Sequence, residues 1–286
     1  MAPPAPGLAG RIRAAFDSEI VTTAALGGGC IGDVRRITLA DGRDIVAKIS
    51  PQGGLAVEGA MLRYLAQHST LPVPEVYLTD ENLLLMSYIA NDGNLNDDAQ
   101  INAAHHLAAL HEINWPKFGF ECDTVIGGLP QPNPPTTSWI EFFRDHRLMY
   151  MAREAHREKR LPSESLNKIE TLCARLDRWI AEPATPALIH GDCWTGNVLC
   201  RRGQLAGMID PAIYFADPEI ELAFSTLFGT FGEAFFKRYA ELRPLAPGFF
   251  EERRDLYNLY PLLVHVRLFG GSYIGQIERI GAKYLS

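Results

Sequence analysis

Short apolar runs separated by turn residues dominate the first ninety positions and predict a small antiparallel sheet. The predicted strands cover residues 21–26, 34–39, 44–50, 75–78 and 82–89. Asp41-Gly42 stands between the second and third runs, and this pair favours a tight hairpin because it tolerates the positive φ angles of the turn. Helical spacing of apolar residues over 8–18 and 56–67 adds two helices.

From residue 96 onward the apolar period changes to 3.6 residues, which is typical of amphipathic helices. The predicted helices cover residues 97–113, 138–157, 164–181, 218–228, 233–242 and most of 248–284. The stretch 117–137 is rich in Pro and Gly, and we expect an ordered loop there. The pattern therefore predicts an α+β protein with a β-rich N-terminal lobe (1–89) and a larger helical C-terminal lobe (90–286).

Composition and charge narrow the class of partner. The chain has 286 residues, 47% of them apolar, and a formal net charge of −7, so its overall charge does not favour nucleic acid or an anionic membrane as a partner. No apolar run reaches transmembrane length, and the N-terminus lacks the apolar core of a signal peptide. Five scattered cysteines without a CxxC pair indicate reduced thiols, and we expect a cytoplasmic protein, either a monomer or a dimer.

Residues 188–211, LIHGDCWTGNVLCRRGQLAGMIDP, carry the residue types that phosphoryl transfer requires. Asp192 is followed five residues later by Asn197, and Asp210 ends the next apolar run. In kinases one carboxylate takes the proton of the acceptor hydroxyl, while an amide and a second carboxylate hold Mg²⁺ on the nucleotide phosphates. We therefore predict Asp192 as the catalytic base and Asn197 and Asp210 as metal ligands, with His190 bracing the loop.

A glycine-rich turn and a lysine predict the site for the ATP phosphates. Residues 27–34 fit G-x-G-x-x-G-x-V at a strand-to-strand turn, a weak signal alone. The predicted contacts in this turn are Gly27, Gly28, Gly29, Cys30 and Ile31. Cys30 is either an oxidisable thiol or a small residue packed under the turn.

Lys48 lies inside an apolar strand, where a charge is costly unless it is compensated. Glu58, on the next helix, is the predicted partner, as in the lysine–glutamate ion pair of kinases. The apolar run 83–89 leads into the region between the lobes, where we predict that the Ser87 carbonyl and the Ile89 N–H bind adenine. Met86 is predicted to line the back of the same pocket. The expected cofactors are ATP and Mg²⁺.

The motif H-G-D-x-x-x-x-N followed by I-D-P resembles the aminoglycoside phosphotransferase-like branch of the protein-kinase-like fold. Trp194, in H-G-D-C-W-T-G-N, is similar to the H-G-D-x-W-x-G-N of the fructosamine kinase (ketosamine 3-kinase) family. Further stretches resemble that family at 27–31, 118–133, 139–148 and 268–273, so that the likeness runs from about residue 11 to residue 280.

The resemblance implies ATP-dependent phosphorylation of the sugar 3-hydroxyl of a small or protein-linked ketosamine. The phosphate makes the adduct labile and releases the amine, a deglycation repair. By position, Asp192 would be the base, Lys48 and Glu58 would set the ATP phosphates, and Trp194 and His265 would contact the substrate. Family members often carry both histidine and asparagine before the C-terminal F-G, whereas only His265 keeps the expected type here.

Two other functions stay open at this point. The catalytic set would also serve a kinase of another small hydroxyl or amino compound, such as an antibiotic or choline. A nucleotide-binding module without catalysis is disfavoured, because such a module has no chemical reason to keep the full set of charged residues.

Overall fold

The computed structural model describes residues 7–27 and 32–285, and its N-terminal part is built on a five-stranded antiparallel sheet with the order β1-β2-β3-β5-β4. The strands are β1 (Ile20–Ala25), β2 (Asp33–Leu39), β3 (Asp44–Ile49), β4 (Val76–Thr79) and β5 (Leu83–Ser87). Gly42, with a φ of 86°, turns β2 into β3, as the Asp-Gly pair predicts. Helix α1 (Leu8–Phe16) precedes the sheet and α2 (Leu55–His68) follows β3.

The two faces of this sheet pack against different helices, and this determines where Lys48 points. Ile45 and Ala47 of β3 share one buried cluster with residues of α1, whereas Val46 belongs to a second cluster with residues of α2. Side chains alternate along a strand with a period of two. Lys48 therefore lies on the α2 face, the same side as Glu58.

The C-terminal part is mainly helical and contains the largest apolar core. Its helices are α3 (Asp97–Leu110), α4 (Trp139–Phe142), α5 (Tyr150–Arg157), α6 (Ser163–Cys173), α7 (Glu219–Leu227), α8 (Glu233–Leu242), α9 (Arg254–Phe269) and α10 (Ile274–Leu285). Helix α3 packs on α8, and α7 packs on α9. In the two described ranges no helix is both long and apolar enough to cross a membrane.

The region 117–137, expected to be a loop, contains a β-hairpin of β6 (Thr124–Ile126) and β7 (Leu129–Gln131). Gly127 and Gly128 form its turn with φ angles of 53° and 75°, the combination that a type I′ turn requires. The Gly-Gly pair was a usable signal, but three-residue strands are too short to display an alternating pattern.

One helix prediction was too long, and another span of predicted helix contains two helices. The helix predicted over 164–181 ends at Cys173 and is followed by a short 3₁₀ turn, Leu176–Arg178. Helix was predicted over most of 248–284, and the structure divides this span into α9 and α10 at Gly270, whose φ of 91° no helix accommodates, with a 3₁₀ turn, Gly271–Tyr273, after it. Apolar periodicity continues across both breaks because the segments on each side bury residues in the same core.

Two small ladders that the helical pattern did not reveal hold the segment that contains Asp192, Asn197 and Asp210. Strand β8 (Ala187–Ile189) pairs with β11 (Tyr214–Ala216), and β9 (Val198–Arg201) pairs with β10 (Gln204–Met208). Between α4 and α5 the chain makes a π-helical segment, Phe143–Met149. The loops between the ladders carry the predicted catalytic and metal-binding residues.

Candidate active site

The loop between β8 and β9 is pressed against the segment that leads into β11. Gly191 has a φ of 85°, and a Cβ at this position would overlap the carbonyl oxygen of Ala212. The Ala212 N–H donates to the His190 carbonyl over 2.8 Å. Only glycine fits at position 191, which explains the middle residue of the H-G-D motif.

The spacing of Asp192 and Asn197 brings their side chains together. A 3₁₀ turn, Thr195–Asn197, folds the chain back, so that Asn197 Nδ2 donates to Asp192 Oδ2 (2.8 Å) and to the Asp192 carbonyl (2.9 Å). These bonds orient the Asp192 carboxyl and leave its other oxygen for an acceptor. Burial raises the pKa of Asp192 to about 8, with the Asp210 carboxylate adding to the rise and Asn197 opposing it.

Lys48 joins the two parts of the chain at the site. Its Nζ lies 2.9 and 2.8 Å from the two carboxylate oxygens of Glu58, and 3.1 Å from Asp210 Oδ1. Burial alone would lower the pKa of Lys48, but the Asp210 and Glu58 carboxylates reverse that effect and hold it above its ordinary value. Burial raises the pKa of Glu58, and the Lys48 ammonium works against that rise. Lys48 is therefore a cation at neutral pH.

Asp210 follows β10 with a φ of 53°, an uncommon left-handed conformation for a residue other than glycine. Non-glycine residues in this region are held there by their surroundings and cluster at functional sites. The preceding residue, Ile209, donates its N–H to the Asn197 carbonyl. The Asn197 and Asp210 loops are thereby tied to each other.

A buried glutamate that the sequence patterns did not single out anchors the backbone of the loop that carries Asp192. Glu221 of α7 accepts hydrogen bonds from the N–H groups of Gly191 (2.7 Å) and His190 (3.2 Å). His111 of α3 lies 2.8 Å from the same carboxylate through Nε2, and its Nδ1 contacts the Tyr239 hydroxyl at 2.7 Å. Burial alone would raise the pKa of Glu221, but the hydrogen bond with His111 lowers it below its ordinary value. Reading α7 as an amphipathic helix hides this role, because a charged residue in such a helix is normally solvated.

The side chains of Lys48, Asp192 and Asp210 line one cavity of about 310 Å³, which extends to a wall of aromatic residues. Trp194 lies on this wall, and its ring covers Gly196, where a Cβ would overlap the indole. His265 of α9 lies on it as well. The Nδ1–H of His265 donates to the Pro261 carbonyl over 2.7 Å, so Nε2 is its free acceptor. Burial lowers the pKa of His265, which favours this neutral form.

The described residues that line the cavity include seven of the predicted site residues. They are Lys48, Glu58, Asp192, Trp194, Asn197, Asp210 and His265. Sequence patterns did not assign the other residues that line the cavity. The apolar ones come mainly from the β6–β7 hairpin, α7 and α9. These positions look like core residues in a one-dimensional pattern.

The predicted adenine contacts do not line this cavity. Met86 is buried and packs with residues of α2 on one face of the sheet. The N–H of Ser87 donates to the Glu75 carbonyl, and the Ile89 side chain packs on Gly207. Gly27 is exposed at the end of β1. Gly28, Gly29, Cys30 and Ile31 lie outside the described residues.

The donor set fits a hard cation that is shared with phosphate oxygens. An amide side chain, Asn197, and a carboxylate, Asp210, face the same cavity, and oxygen donors of this kind are those that Mg²⁺ prefers. Across 7–27 and 32–285 no three His, Cys, Asp or Glu side chains cluster into a metal site. The protein alone would therefore supply few ligands, as is usual for Mg²⁺ bound together with a nucleotide.

Comparisons with known proteins agree along the chain. A family model described as fructosamine kinase matches residues 10–286. A probable ketoamine kinase of Synechocystis sp. is 40% identical over 192 residues, which cover 66% of this chain and 63% of that protein. The chloroplastic protein-ribulosamine 3-kinase of Arabidopsis thaliana is 30% identical over 280 residues, which cover 94% of this chain and 84% of that protein.

Solved structures confirm the predicted α+β protein-kinase-like fold. The "putative fructosamine-3-kinase" of Thermobifida fusca superposes with a TM-score of 0.86 at 31% identity, covering 98% of both chains. An aminoglycoside phosphotransferase in complex with AMP-PNP and hygromycin B superposes with a TM-score of 0.68 over 97% of this chain and 98% of that one. At 18% identity this second likeness shows the fold alone. With a family model matching nearly its whole length, the chain belongs to the fructosamine kinase family.

Proposed function

We propose that this protein phosphorylates the sugar 3-hydroxyl of ketosamines with ATP and Mg²⁺, and so prepares the adduct for release of its amine. As a member of the fructosamine kinase family it is a phosphotransferase that acts on a hydroxyl group and uses ATP. The observation that carries the proposal is a single cavity lined by Asp192, Lys48, Asp210, Trp194 and His265. Groups for the proton, the phosphates and a sugar ring thus face one space.

Asp192 is the proposed base for the acceptor hydroxyl. One of its carboxylate oxygens is held by Asn197 at 2.8 Å, so the carboxyl has a set orientation before the acceptor arrives. A positioned base within hydrogen-bond reach contributes roughly 10²- to 10⁴-fold to a rate. Glu221 supports this geometry through the backbone of His190 and Gly191.

Lys48 is the proposed contact for the ATP phosphates, and Glu58 keeps its ammonium in place. The two carboxylate oxygens of Glu58, at 2.9 and 2.8 Å, restrict the position of Lys48 Nζ. Asn197 and Asp210 would hold Mg²⁺, which when bound offsets the negative charge of the phosphates. Met86, Ser87 and Ile89 remain the proposed adenine contacts, where the nucleotide lobe (1–89) meets the catalytic lobe (90–286).

The proposed acceptor is a ketosamine, either small or linked to a protein, and the proposed compartment is the cytoplasm. Four cysteines in the described ranges are free, which supports a reducing environment. Fractionation of the producing cells checks the compartment, and a glycated protein offered beside a small ketosamine checks the acceptor.

The decisive experiment incubates the purified protein with Mg²⁺-ATP and ribulosyl- or fructosyl-lysine. Turnover of roughly 1–100 s⁻¹ is expected, as for kinases of this chemistry, and ³¹P NMR should locate the new ester on the 3-hydroxyl. Asp192→Asn should lower kcat by at least about 10²-fold while nucleotide binding remains. Asp177→Asn is the matched control, because this aspartate is exposed and does not line the cavity.

Two outcomes would favour the other functions. If ketosamines give only background ATP hydrolysis while an aminoglycoside or choline is phosphorylated, the protein is a kinase of another small compound. If nucleotide binds but no acceptor is phosphorylated, it is a binding module.

A further inference from the structure

The acceptor side of the cavity is an aromatic wall, which we define by Trp194, Phe228, His265, Phe269 and Tyr273. Phe228 follows α7, and His265 and Phe269 lie on the last turns of α9. The ring centroids of Trp194 and Phe228 are 6.2 Å apart, and those of Phe228 and His265 are 4.9 Å apart. His265 also lies 5.4 Å from Phe269 and 4.9 Å from Tyr273. The rings thus form one continuous surface.

Part of this wall is open to solvent in a way that core residues are not. Phe228 is 38% exposed and Phe269 is 48% exposed, and both line the cavity. Large exposed apolar groups that are contiguous with a cleft are typical of ligand-binding surfaces. The open edge therefore suits the part of a ligand that extends beyond the sugar.

The aromatic wall carries no ionic partner for a substrate. Its five members include neither an acid nor a lysine or arginine, and the carboxylates that line the cavity are those of Glu58, Asp192 and Asp210. Glu58 and Asp210 are already paired with Lys48 on the phosphate side. An anionic group placed against these rings would lose hydration without gaining a salt bridge.

We propose that the aromatic wall selects ketosamines whose amine carries an uncharged, apolar substituent, with aromatic substituents preferred. The inference rests on the proposed ketosamine kinase function and names the class of amine at that same site. An aromatic substituent would stack on Phe228 and Phe269 and remove apolar surface from water. A carboxylate on the substituent would have no counter-charge there, so adducts that place one against the wall are poorer substrates than the uncharged ones.

The test compares three ribulose adducts that share one sugar and one secondary amine: those of methylamine, benzylamine and 4-(aminomethyl)benzoate. The benzylamine adduct should exceed the methylamine adduct in kcat/KM by about tenfold, which corresponds to about 1.4 kcal/mol. The benzoate adduct should fall below the benzylamine adduct by a similar factor, because its carboxylate has no counter-charge.

Variants locate the effect on the wall. Phe228→Ser and Phe269→Ser should each reduce the benzyl-over-methyl preference by at least about threefold. Phe250→Ser is the matched control, since Phe250 is 40% exposed and its ring contacts Phe236 and Phe249 outside the cavity. That variant should keep the preference of the parent protein.

The outcomes separate this inference from the function on which it rests. Turnover of the methylamine adduct with no gain for benzylamine, or equal turnover of the benzylamine and benzoate adducts, overturns the selectivity alone. If Phe250→Ser loses as much of the benzyl-over-methyl preference as Phe269→Ser, the proposed selectivity is also overturned. No turnover of any adduct overturns the proposed function and the inference together.

Discussion

Glu221 offers the sharpest test of how the fold holds the catalytic loop, through the variant Glu221→Gln. The carboxylate is fully buried and accepts from Gly191 N–H at 2.7 Å and from His190 N–H at 3.2 Å. It also contacts His111 Nε2 at 2.8 Å. A glutamine keeps the shape of the side chain but turns one oxygen into an NH₂ donor.

The size of the stability loss depends on which backbone N–H loses its hydrogen-bond acceptor. If the new NH₂ faces His111, the ring can change tautomer and accept from it, with its Nδ1–H then donating to the Tyr239 hydroxyl. The His190 N–H then faces a donor. If the NH₂ faces Gly191 instead, it is the Gly191 N–H that faces a donor. One buried N–H is unmatched in either case, at about 1–3 kcal/mol, and charge assistance is lost from the remaining bonds. The expected loss in the free energy of unfolding is about 2–4 kcal/mol.

Activity should fall along with stability, because the unmatched N–H belongs to the residues that precede Asp192. Displacement of a catalytic group by about 1 Å can cost roughly 10²-fold in rate, so we expect kcat to fall 10- to 100-fold. The KM for ATP should change little, since Lys48 and Glu58 are untouched. Urea unfolding and steady-state kinetics at 25 °C measure both effects.

Glu219→Gln is the matched control on the same helix. Glu219 is also nearly buried, but it binds Arg253 and not the catalytic loop. This variant should lose stability while the folded protein keeps its kcat. A kcat within twofold of the parent value in Glu221→Gln, or an equal loss of kcat in both variants, would show that Glu221 does not hold this loop in place.

The same pair of proteins gives a pH test with a defined sign. The pKa of Glu221 is lower in the folded protein than its ordinary value of 4.5, so its carboxylate stabilises the fold above that pH. The stability difference between the parent protein and Glu221→Gln should therefore be full at pH 6–7. It should shrink as the pH falls below about 4.5, and a difference that stays constant down to pH 3.5 would contradict the assignment.

Two further variants test other parts of the site. Gly196→Ala should displace the Trp194 ring and raise the KM for the ketosamine at least about tenfold, with the KM for ATP and the stability nearly unchanged, as kinetics and thermal unfolding will show. An unchanged ketosamine KM would remove Trp194 from the acceptor site. Asp217→Asn tests a buried acid whose pKa is raised by burial to about 6, although the Tyr257 hydroxyl donates to it over 2.7 Å. Because that pKa is above its ordinary 3.8, the parent protein should lose stability relative to the variant as the pH rises from about 4 to 6, by up to about 3 kcal/mol. Urea titrations at several pH values measure this loss. A stability difference that does not change with pH would refute the prediction.

The part of the site that sequence patterns located is the part where chemistry restricts the residue type. A base, a metal ligand and a phosphate-binding cation come from a small set of polar residue types, here Asp, Asn and Lys, and a charge within an apolar strand stands out, as Lys48 does. The period of two along β3 even places Lys48 on the α2 face, and the structure pairs it there with Glu58. Their roles in catalysis stay predictions until the variants are measured.

The fold was predictable for similar reasons and failed where local signals were short. Apolar runs of four or more residues between turn residues revealed the strands of the N-terminal sheet, whereas the three-residue strands of the β6–β7 hairpin are too short to form such a run. Gly270 ends α9 by backbone conformation, yet the apolar residues on both sides continue a helical pattern because they meet the same core. The spacing of apolar residues therefore indicates which face of a segment is buried, but not where the backbone turns.

The residues proposed to select the acceptor amine are the hardest to find by pattern, and this follows from their chemistry. Phe228 and Phe269 lie at helix ends, where apolar residues usually complete a core, and only their exposure and their position on the cavity set them apart. Trp194 was noticed because it stands inside a catalytic motif, not because it is aromatic. We therefore expect substitutions on this wall to change the amine that is accepted while leaving the Asp192–Asn197–Asp210 set intact, so a motif search alone would identify the reaction but not the substrate.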